Sequence, residues 1–518
     1  MRKTDAFRRA AALLAALSIT VSLAAPAFAA TSRTYYIDKG DITITKDEKG
    51  QTVKQGDSEA EKIGDDDEII ITTTTAATTT LESDLEGPAA EDTGFGPVVE
   101  DNYQPAAPAQ PEDADQPEGA DQQKDADQPE GADQQESADQ PKDADQQEDA
   151  DQQKDADQQE GADQQAQPQQ AAPAPAAAPA ASTPVNPKKD GFWGNTITVI
   201  NNFANTVLNL TLKDVKIDVS HTGTENYINP EAGKAALSVQ GDGNVEIELD
   251  GKNELKSGHF RAGLEKIISA GTLTLKDDNQ KAGSLTATGG SYSAGIGGSY
   301  WGSGENITIN GGTVTATGSY YGAGIGGGEN GSGKNITING GTVNAKGGSQ
   351  GAGIGGGSDG SGENITINSG TVTAAGGSYG AGIGGGYWGD YKSGNGGKDI
   401  TINGGTVTAT GGYLGAGIGG GGIGMYDGYT NGENITINGG TVIAAGGKEA
   451  AGIGGGESGS GSNVTVSGAA QVTATAGKSN GYYGAGATIG NGGNYTNGEN
   501  VDGEEIQADI SGLTTTGY

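Results

Sequence analysis

Three short segments in which aliphatic and polar residues alternate recur through the C-terminal half of the chain. The first reads NITING or a close relative, the second TVTA or a relative, and the third is an isoleucine set among glycines, as in GAGIGGG. Their leading aliphatic residues are, for NITING, Ile307, Ile336, Ile365, Ile400, Ile435 and Val464; for TVTA, Val314, Val343, Val372, Val407, Val442 and Val472; and for GIG, Ile296, Ile325, Ile354, Ile383, Ile418 and Ile453. Alternation with a period of two predicts β-strands with one buried face, so each repeat predicts a coil with three sides.

The spacing of these segments divides each repeat into a constant part and a variable part. Successive NITING segments begin 29, 29, 35, 35 and 29 residues apart, whereas the NITING and GIG isoleucines are always 18 positions apart. The six-residue insertions therefore fall in the turn after GIG. Coils stacked about 4.8 Å apart bury a narrow, continuous core. We predict an all-β protein, a parallel β-helix with three short strands per coil; that it is right-handed is what the family resemblance described below implies.

Alternation also predicts which side chains face the core and which form columns along the stack. The residues predicted to point inward are Ile307, Ile309, Val314, Ala316, Ala323 and Ile325, and those predicted to point outward are Thr308, Thr313, Thr315 and Gly324. Two polar columns are predicted as well. One alternates in charge (Glu305, Lys334, Glu363, Lys398, Glu433, Ser462), and the other is an amide ladder (Asn310, Asn339, Asn368, Asn403, Asn438).

The rest of the chain divides by composition. Residues 191–290 keep the rhythm of strand and turn and predict irregular coils, residues 291–480 predict the regular coils, and residues 481–518 a degenerate coil or cap. Residues 30–82 also contain strand patterns, and they form either the first coils or an independent hairpin module. Residues 83–190 contain a six-residue repeat of the DADQPE type that has no large apolar side chain, which predicts a disordered acidic spacer.

The N-terminus and the overall charge limit the setting in which the protein acts. Residues 1–29 resemble a signal peptide, with a basic start, an apolar run and the sequence AFA, so we expect a secreted protein, either released or held at the cell surface. The chain of 518 residues has no Cys, which excludes disulfides and thiol catalysis. Its formal charge of −37 argues against nucleic acid and anionic membranes as partners, and no later stretch is apolar enough to span a bilayer.

Few side chains suit catalysis. The only histidines are His221 and His259, neither within a triad pattern, and the repeats contain no distinguished pair of carboxylates. We expect no enzymatic activity; a lyase-like enzyme is a minor alternative, as is an ice-binding face on the outward threonines, whose ranks are broken in several coils. GGGSDGSGEN and GDGN resemble calcium loops but lack the nine-residue spacing of true repeats. No cofactor is therefore assigned, and calcium is kept as a candidate without a site.

Tyr and Trp gather in the two turns that flank the GIG strand. Tyr300-Trp301 and Tyr387-Trp388 have the same offset from the GIG isoleucines of their coils, which are three coils, or about 14 Å, apart. Flat rings suit the apolar faces of sugars. The predicted ligand-binding residues are Tyr300, Trp301, Tyr387, Trp388, Tyr391, Tyr426 and Tyr429 after GIG, and Tyr321 and Tyr379 before it. A tyrosine ladder that only covers turn backbone is the alternative.

Longer stretches carry a family resemblance. LTLKDVKIDVS, ALSVQGDGNVEIELDGKNELKSG and GENITINGGTVTATGSYYGAGIGGG resemble exported bacterial Gly-rich right-handed β-helix proteins of the pectate-lyase-like type, which bind polygalacturonate and calcium. The resemblance covers about residues 195–500, with residues 35–80 as a candidate extension, and it implies carbohydrate binding but assigns no calcium ligand in this chain. We therefore expect a non-catalytic protein that binds extracellular or cell-wall polysaccharide. A structural adhesin with a protein partner is the alternative.

Overall fold

The structure is a computed structural model that describes residues 31–74, 191–225, 231–267, 269–279, 281–387, 396–423, 429–496 and 498–511. The predicted signal peptide and acidic spacer lie outside these ranges. Within them, the regular elements are β-strands and one short 3-10 helix, Ile37–Lys39. No helix of the described ranges is long and apolar enough to cross a membrane.

Strands before residue 290 vary in length because their segments depart from the regular repeat. They are β1 (Ser32–Tyr36), β2 (Ile42–Asp47), β3 (Gly50–Gln55), β4 (Glu61–Ile63), β5 (Glu68–Thr72), β6 (Ile197–Asn201), β7 (Val207–Lys213), β8 (Lys216–Asp218), β9 (Leu237–Gln240), β10 (Asn244–Asp250), β11 (Lys252–Lys256), β12 (Leu264–Lys266), β13 (Leu273–Lys276) and β14 (Ser284–Thr288).

After residue 290 the strands follow the three segments of the repeat, and a short antiparallel hairpin comes last. They are β15 (Ile296–Gly297), β16 (Gly304–Ile309), β17 (Thr313–Thr317), β18 (Ile325–Gly326), β19 (Gly333–Ile338), β20 (Thr342–Lys346), β21 (Ile354–Gly355), β22 (Gly362–Ile367), β23 (Thr371–Ala375), β24 (Ile383–Gly384), β25 (Gly397–Ile402), β26 (Thr406–Thr410), β27 (Ile418–Gly419), β28 (Gly432–Ile437), β29 (Thr441–Ala445), β30 (Ile453–Gly454), β31 (Gly461–Val466), β32 (Gln471–Thr475), β33 (Ile489–Gly490), β34 (Asn494–Thr496) and β35 (Glu499–Val501).

Three long sheets form the sides of a right-handed parallel β-helix. The NITING sheet has the strand order β1-β5-β7-β10-β13-β16-β19-β22-β25-β28-β31, the TVTA sheet β8-β11-β14-β17-β20-β23-β26-β29-β32, and the GIG sheet β4-β3-β2-β6-β9-β12-β15-β18-β21-β24-β27-β30-β33. Pairing between coils is parallel and in register, with Ile307 opposite Ile336 and Ile325 opposite Ile354. Within these three sheets, the antiparallel pairs between described strands are β2–β3 and β3–β4, at the end of the GIG sheet. The predicted fold class is confirmed.

The core contains the side chains that alternation predicts. Ile307, Ile309, Val314, Ala316, Ala323 and Ile325 are fully buried, whereas Thr308, Thr313 and Thr315 reach the surface. The prediction for Gly324 is wrong, because this residue is buried. A Cβ at Gly324 would lie 2.6 Å from the Gly353 oxygen and 2.6 Å from the Lys346 nitrogen. The backbone of the next coil therefore covers a position that alternation alone assigns to the surface.

The glycine after each GIG isoleucine allows these two-residue strands to stack closely. Gly326 has a φ of 136°, and a Cβ there would lie 1.9 Å from the carbonyl oxygen of Gly355 in the next coil. Glycine is the residue that accepts both this conformation and this approach of backbone to backbone. The GIG side of the coil is consequently a wall of backbone, and its isoleucines fill the core behind it.

Residues 31–74 share the sheets of the strands that follow residue 190. β1 pairs with β5, β5 pairs with β7, and β2 pairs with β6, all in parallel. The Asn195 side-chain amide donates to the Ile37 oxygen at 2.8 Å, and the Lys46 ammonium donates to the Val207 oxygen at 2.8 Å. The isoleucines of this segment that are fully buried in the common core are Ile37, Ile42, Ile44, Ile69 and Ile71.

Both predicted polar columns are in register. In the charged column, Glu305 pairs with Lys334, Lys334 with Glu363, and so on to Ser462. Among its members one ion pair forms, from Lys334 Nζ to Glu363 Oε2 at 3.4 Å, and both side chains are more than a third exposed. In the amide ladder, each Asn Nδ2 donates to the Oδ1 of the preceding coil at 2.7–2.8 Å, from Asn339 to Asn438. The amide ladder is confirmed.

A second amide column, which the sequence did not lead us to expect, lies one residue after the charged column. Its members have a φ of 53–58° and are Asn306, Asn335, Asn364, Asp399, Asn434 and Asn463. The residues on either side of this position pair with their counterparts in the next coil, whereas the residue at this position is left out of the strand pairing and has a left-handed conformation. Amide hydrogen bonds of 2.8–3.0 Å connect successive asparagines. Asp399 interrupts the column because a carboxylate accepts from Asn434 but has no hydrogen to donate to Asn364.

Candidate functional site

The turns before and after the GIG strand lie side by side in neighbouring coils. The backbone N–H of Glu329 donates to the Tyr292 oxygen at 2.8 Å, and that of Ser358 donates to the Tyr321 oxygen at 2.7 Å. Each donor is four residues after a GIG isoleucine, and each acceptor is four residues before the GIG isoleucine of the preceding coil. Side chains from both turns are thereby brought to one edge of the β-helix.

An aromatic cluster occupies this edge over three successive coils. Its members are Phe260, Tyr292, Tyr300, Trp301, Tyr320 and Tyr321. Tyr292 stacks on Tyr321 with ring centroids 5.0 Å apart and planes at 7°, and on Phe260 at 5.3 Å and 18°. These distances match the spacing of the coils, so the three rings form a continuous stack parallel to the helix axis.

Tyr300 and Trp301 extend this stack toward solvent. Tyr300 packs against Phe260 and Tyr292 at 5.2 and 5.5 Å, and against the ring of Trp301 at 5.9 Å and 80°. The Trp301 side chain remains 65% exposed. A large exposed ring whose neighbours hold it in place is a common feature of recognition surfaces.

The backbone under the aromatic cluster is strained. Phe260, Tyr292 and Trp301 have φ values of 65°, 69° and 61°, and they are the aromatic residues with positive φ in the described part of the chain. Asn330 and Asp359, which correspond to Trp301 in the next two coils, are residue types that accept this conformation more readily. A bulky residue in left-handed conformation costs about 1–2 kcal/mol, and such strain tends to gather at functional sites.

A cleft of about 280 Å³ opens beside the ring stack. It is lined by Glu225, Ser291, Tyr292, Ser319, Tyr320 and Tyr321. His259 Nδ1 lies 2.9 Å from the Ser291 hydroxyl and 4.0 Å from Glu225 Oε2. Burial, and next the charge of Glu225, raise the pKa of the Tyr292 hydroxyl. The cleft therefore combines aromatic faces with hydroxyl groups and a single carboxylate.

The remaining predicted site residues are divided among other places. Tyr379 and Tyr387 repeat the Tyr292–Tyr300 arrangement three coils further on, with ring centroids 5.0 Å apart and planes at 61°. Tyr429 is 47% exposed and lines a separate cleft of about 400 Å³ near the C-terminal hairpin. Trp388, Tyr391 and Tyr426 lie outside the described residues. The structure thus brings Tyr300, Trp301 and Tyr321 together in the aromatic cluster.

Several residues of the aromatic cluster and of the cleft beside it were missed by sequence reasoning. Phe260 lies four residues before Leu264, just as Tyr292 lies four residues before Ile296, and this shared offset was a usable signal. His259 is next to Phe260 in sequence and points to the same cleft through Ser291. For Glu225 no sequence signal existed, because it lies in an irregular coil outside the repeat.

A buried pair of carboxyl groups lies elsewhere on the same edge. Glu449 and Glu457 lie four residues before and after Ile453, and neither carboxylate oxygen of the fully buried Glu449 has a hydrogen-bond partner. Burial raises the pKa of Glu449, and burial together with the Glu449 charge raises the pKa of Glu457 to about 8. Over the residues that the structure describes, no group of three or more His, Cys, Asp or Glu side chains is placed to hold a metal ion.

Comparison with known proteins supports the fold and does not extend to a ligand. The family model described as Beta helix repeat matches residues 281–300, 307–329, 336–358, 365–387, 400–422 and 435–457. No curated protein and no solved structure is significantly similar to the chain. Each matched segment except the first begins at the NITING isoleucine and ends just past the GIG strand. The chain is a parallel β-helix protein whose regular coils are similar to the Beta helix repeat family.

Proposed function

We propose that the protein is a non-catalytic polysaccharide-binding β-helix and that the aromatic cluster is its binding site. The observation that carries this proposal is the stack of Phe260, Tyr292 and Tyr321, two of whose rings line an open cleft, together with the exposed Trp301 that packs on Tyr300 beside the stack. Three of the cluster's rings are held on strained backbone, and at the position of Trp301 the next two coils have Asn330 and Asp359, which accept this conformation more readily. A ligand that uses these rings accounts for their presence.

The chemistry of the cleft suits a sugar. Flat phenol and indole rings pack well against the apolar C–H faces of a pyranose. Ser291, Ser319 and Glu225 line the same cleft and offer hydrogen-bond partners for sugar hydroxyls. A few polar groups that converge beside apolar faces are the usual composition of a small-molecule site.

The edge continues beyond this cleft, which favours a polymer over a single sugar. The Tyr379–Tyr387 pair has the offsets of Tyr292 and Tyr300 and lies three coils away, about 14 Å along the axis. Burial raises the pKa of the Tyr387 hydroxyl, as expected for a ring packed into the turn. A glycan chain that runs parallel to the axis would meet both places.

The composition of the cleft supports a role without catalysis. Glycoside cleavage uses two carboxyl groups about 5–10 Å apart across the scissile bond. Glu225 is the one carboxylate that lines the cleft, and His259 beside it contacts a serine hydroxyl and a glutamate. The buried Glu449 and Glu457 are closed off from solvent. Binding, and not turnover, is therefore the expected readout.

Binding by the aromatic cluster is tested with matched tyrosine variants on a glycan panel. Tyr320 and Tyr413 each lie five residues before a GIG isoleucine, both are exposed, and only Tyr320 belongs to the cluster. We expect Tyr320→Ala and Trp301→Ala to weaken binding by roughly 1–3 kcal/mol, by analogy with base stacking on aromatic side chains, and Tyr413→Ala to leave it unchanged. Calorimetry with an unchanged Tm of each variant separates loss of binding from loss of folding.

The panel also distinguishes ligand classes and the alternative function. Neutral glycans need no bridging cation against an acidic surface, whereas uronate polymers would need calcium, so a chelator abolishes binding in the second case alone. If both cluster variants keep wild-type affinity for every glycan that binds, the aromatic cluster is not the binding site. A structural adhesin with a protein partner would then be the better proposal.

A further inference from the structure

We propose that the cleft beside the aromatic cluster recognises a protonated amine on the sugar, so that its preferred ligand is a de-N-acetylated hexosamine chain. This inference rests on the proposed polysaccharide-binding function and narrows its substrate class. The observation behind it is the composition of the lining, in which Glu225 is the one charged residue among three tyrosine rings and two serines.

Aromatic faces and a carboxylate together select for an ammonium group. The face of a tyrosine ring is electron-rich and attracts a cation placed within about 6 Å of its centroid. Phe260 and Tyr321 stack on the ring of Tyr292, so the ring offered to a cation in the cleft is that of Tyr320, which is 57% exposed and lies 4.7 Å from the ring of Tyr321. Glu225 adds a full negative charge to the same small volume. A uronate carboxylate in that position would be repelled by both features.

Glu225 is oriented toward the cleft by its neighbours. Tyr292 and Glu225 line the same cleft, and burial, followed by the charge of Glu225, raises the pKa of the Tyr292 hydroxyl. His259 Nδ1 lies 4.0 Å from Glu225 Oε2 and closer, 2.9 Å, to the hydroxyl of Ser291. The carboxylate is therefore held at the mouth of the cleft beside the ring stack.

The permanent cation that follows Phe260 in the sequence has its own partner. Arg261 is adjacent in sequence to Phe260, but its Nη1 lies 2.9 Å from Oε1 of Glu265, a carboxylate that is almost completely buried. Its Nε donates to the Gly233 oxygen at 3.2 Å. The Arg261 guanidinium therefore binds partners within the irregular coils. The positive charge that Glu225 and the tyrosine rings attract can then come from an ammonium group of the ligand.

The experiment must separate this site from the attraction of an acidic chain for any polycation. Short oligomers carry few charges, so we compare a glucosamine tetramer with an N-acetylglucosamine tetramer by calorimetry at physiological ionic strength, where long-range attraction is screened. The variant is Glu225→Gln. Its matched control is Glu59→Gln, which removes the same charge from an exposed position in the N-terminal segment.

We expect the full-length protein to prefer the glucosamine tetramer by about tenfold. Glu225→Gln should reduce this preference to about twofold or less, without weakening the N-acetylated tetramer, and Glu59→Gln should preserve it. Equal affinity of the wild type for both tetramers, or an equal loss in both variants, would overturn the inference. So would tighter binding of a lysine-containing peptide than of the glucosamine tetramer.

Failure of this inference differs from failure of the proposed function. If neutral glycans bind and depend on Tyr320 and Trp301, but amines add nothing, the polysaccharide site stands and the amine preference is wrong. If no glycan binds at all, both fall together.

Discussion

Asn306 and its equivalents show how one residue type can meet two needs of the stacked backbone. Each lies in left-handed conformation, which Asn tolerates better than most residues, and each asparagine donates a side-chain hydrogen bond to the coil before it. Glycine would adopt the same backbone conformation, but it has no side chain with which to form the hydrogen-bonded ladder. Asp399 satisfies the backbone but breaks the ladder toward Asn364, because a carboxylate cannot donate.

The break at Asp399 predicts a stabilising substitution. Asp399→Asn should restore the hydrogen bond to Asn364 and raise the free energy of unfolding by about 0.5–1 kcal/mol, the low end for an exposed bond. Urea unfolding measures the change. The reverse substitution in an intact part of the column, Asn335→Asp, should cost a similar amount, and an unchanged stability in both variants would mean that the column contributes nothing.

The buried Glu457 predicts a stability that falls as pH rises. Its folded pKa of about 8 lies above its ordinary value of 4.5, mainly through burial and then through the Glu449 charge, so the folded state binds the extra proton between these values. Stability contributed by the neutral carboxyl is present below about pH 4.5 and is lost progressively up to about pH 8, by at most about 5 kcal/mol. Glu457→Gln should flatten this dependence in unfolding curves from about pH 5 to about pH 9. An equally steep decline in the variant would assign the effect to other groups.

Among the elements, the NITING strands combine a uniform core face with an alternating charged edge. The Lys334–Glu363 pair at 3.4 Å is exposed, so its contribution is small and must be measured by coupling, not by a single substitution. In a cycle of Lys334→Glu, Glu363→Lys and the double variant, we expect each single change to lower stability. The double variant should recover about 0.5–1 kcal/mol relative to their sum. Simple additivity would show that charge alternation has no energetic role.

The direction of a side chain could be predicted from the sequence where the alternation or spacing of the repeat alone determined it. It could not be predicted where contact with another coil also determined it. Period-two alternation was sufficient for the inward face of Ile307 and Val314, and identical spacing was sufficient for the Asn310 ladder. Gly324 was assigned to the surface because alternation ignores the backbone of the next coil. The approach of Glu225 to Tyr292 could not be predicted, because it depends on the path of an irregular coil with no counterpart in the repeat.

In the molecule as a whole, residues 31–74 occupy the position of an end cap. β5 and β1 cover β7 in the NITING sheet, and β2 with the antiparallel β3 and β4 covers β6 in the GIG sheet. Uncovered, β6 and β7 would present unpaired N–H and C=O groups to solvent. In a solenoid each coil is stabilised through its neighbours, so loss of a terminal unit weakens the coil next to it.

Deletion of residues 31–74 should therefore lower the Tm of the β-helix and promote association through the exposed strand edges. Calorimetry and light scattering report the two effects. The control deletes an equal length from the six-residue repeat, residues 113–156, and should leave the Tm unchanged. If both deletion variants have the same Tm as the full chain, the cap contributes no stability.

The alternating charged column has a further consequence for how the chain finds its register. Because the regular coils present nearly identical core faces, hydrophobic packing hardly distinguishes the correct neighbour of a coil from the one beyond it. A chain that skips one coil and loops it out would bring Glu305 directly against Glu363, whereas skipping two would bring it against Lys398. The alternation of charge therefore disfavours the misassembly that skips one coil, which is the one with the smallest loop-closure entropy. The misassembly that skips two coils is opposed instead by the entropy of closing a longer loop.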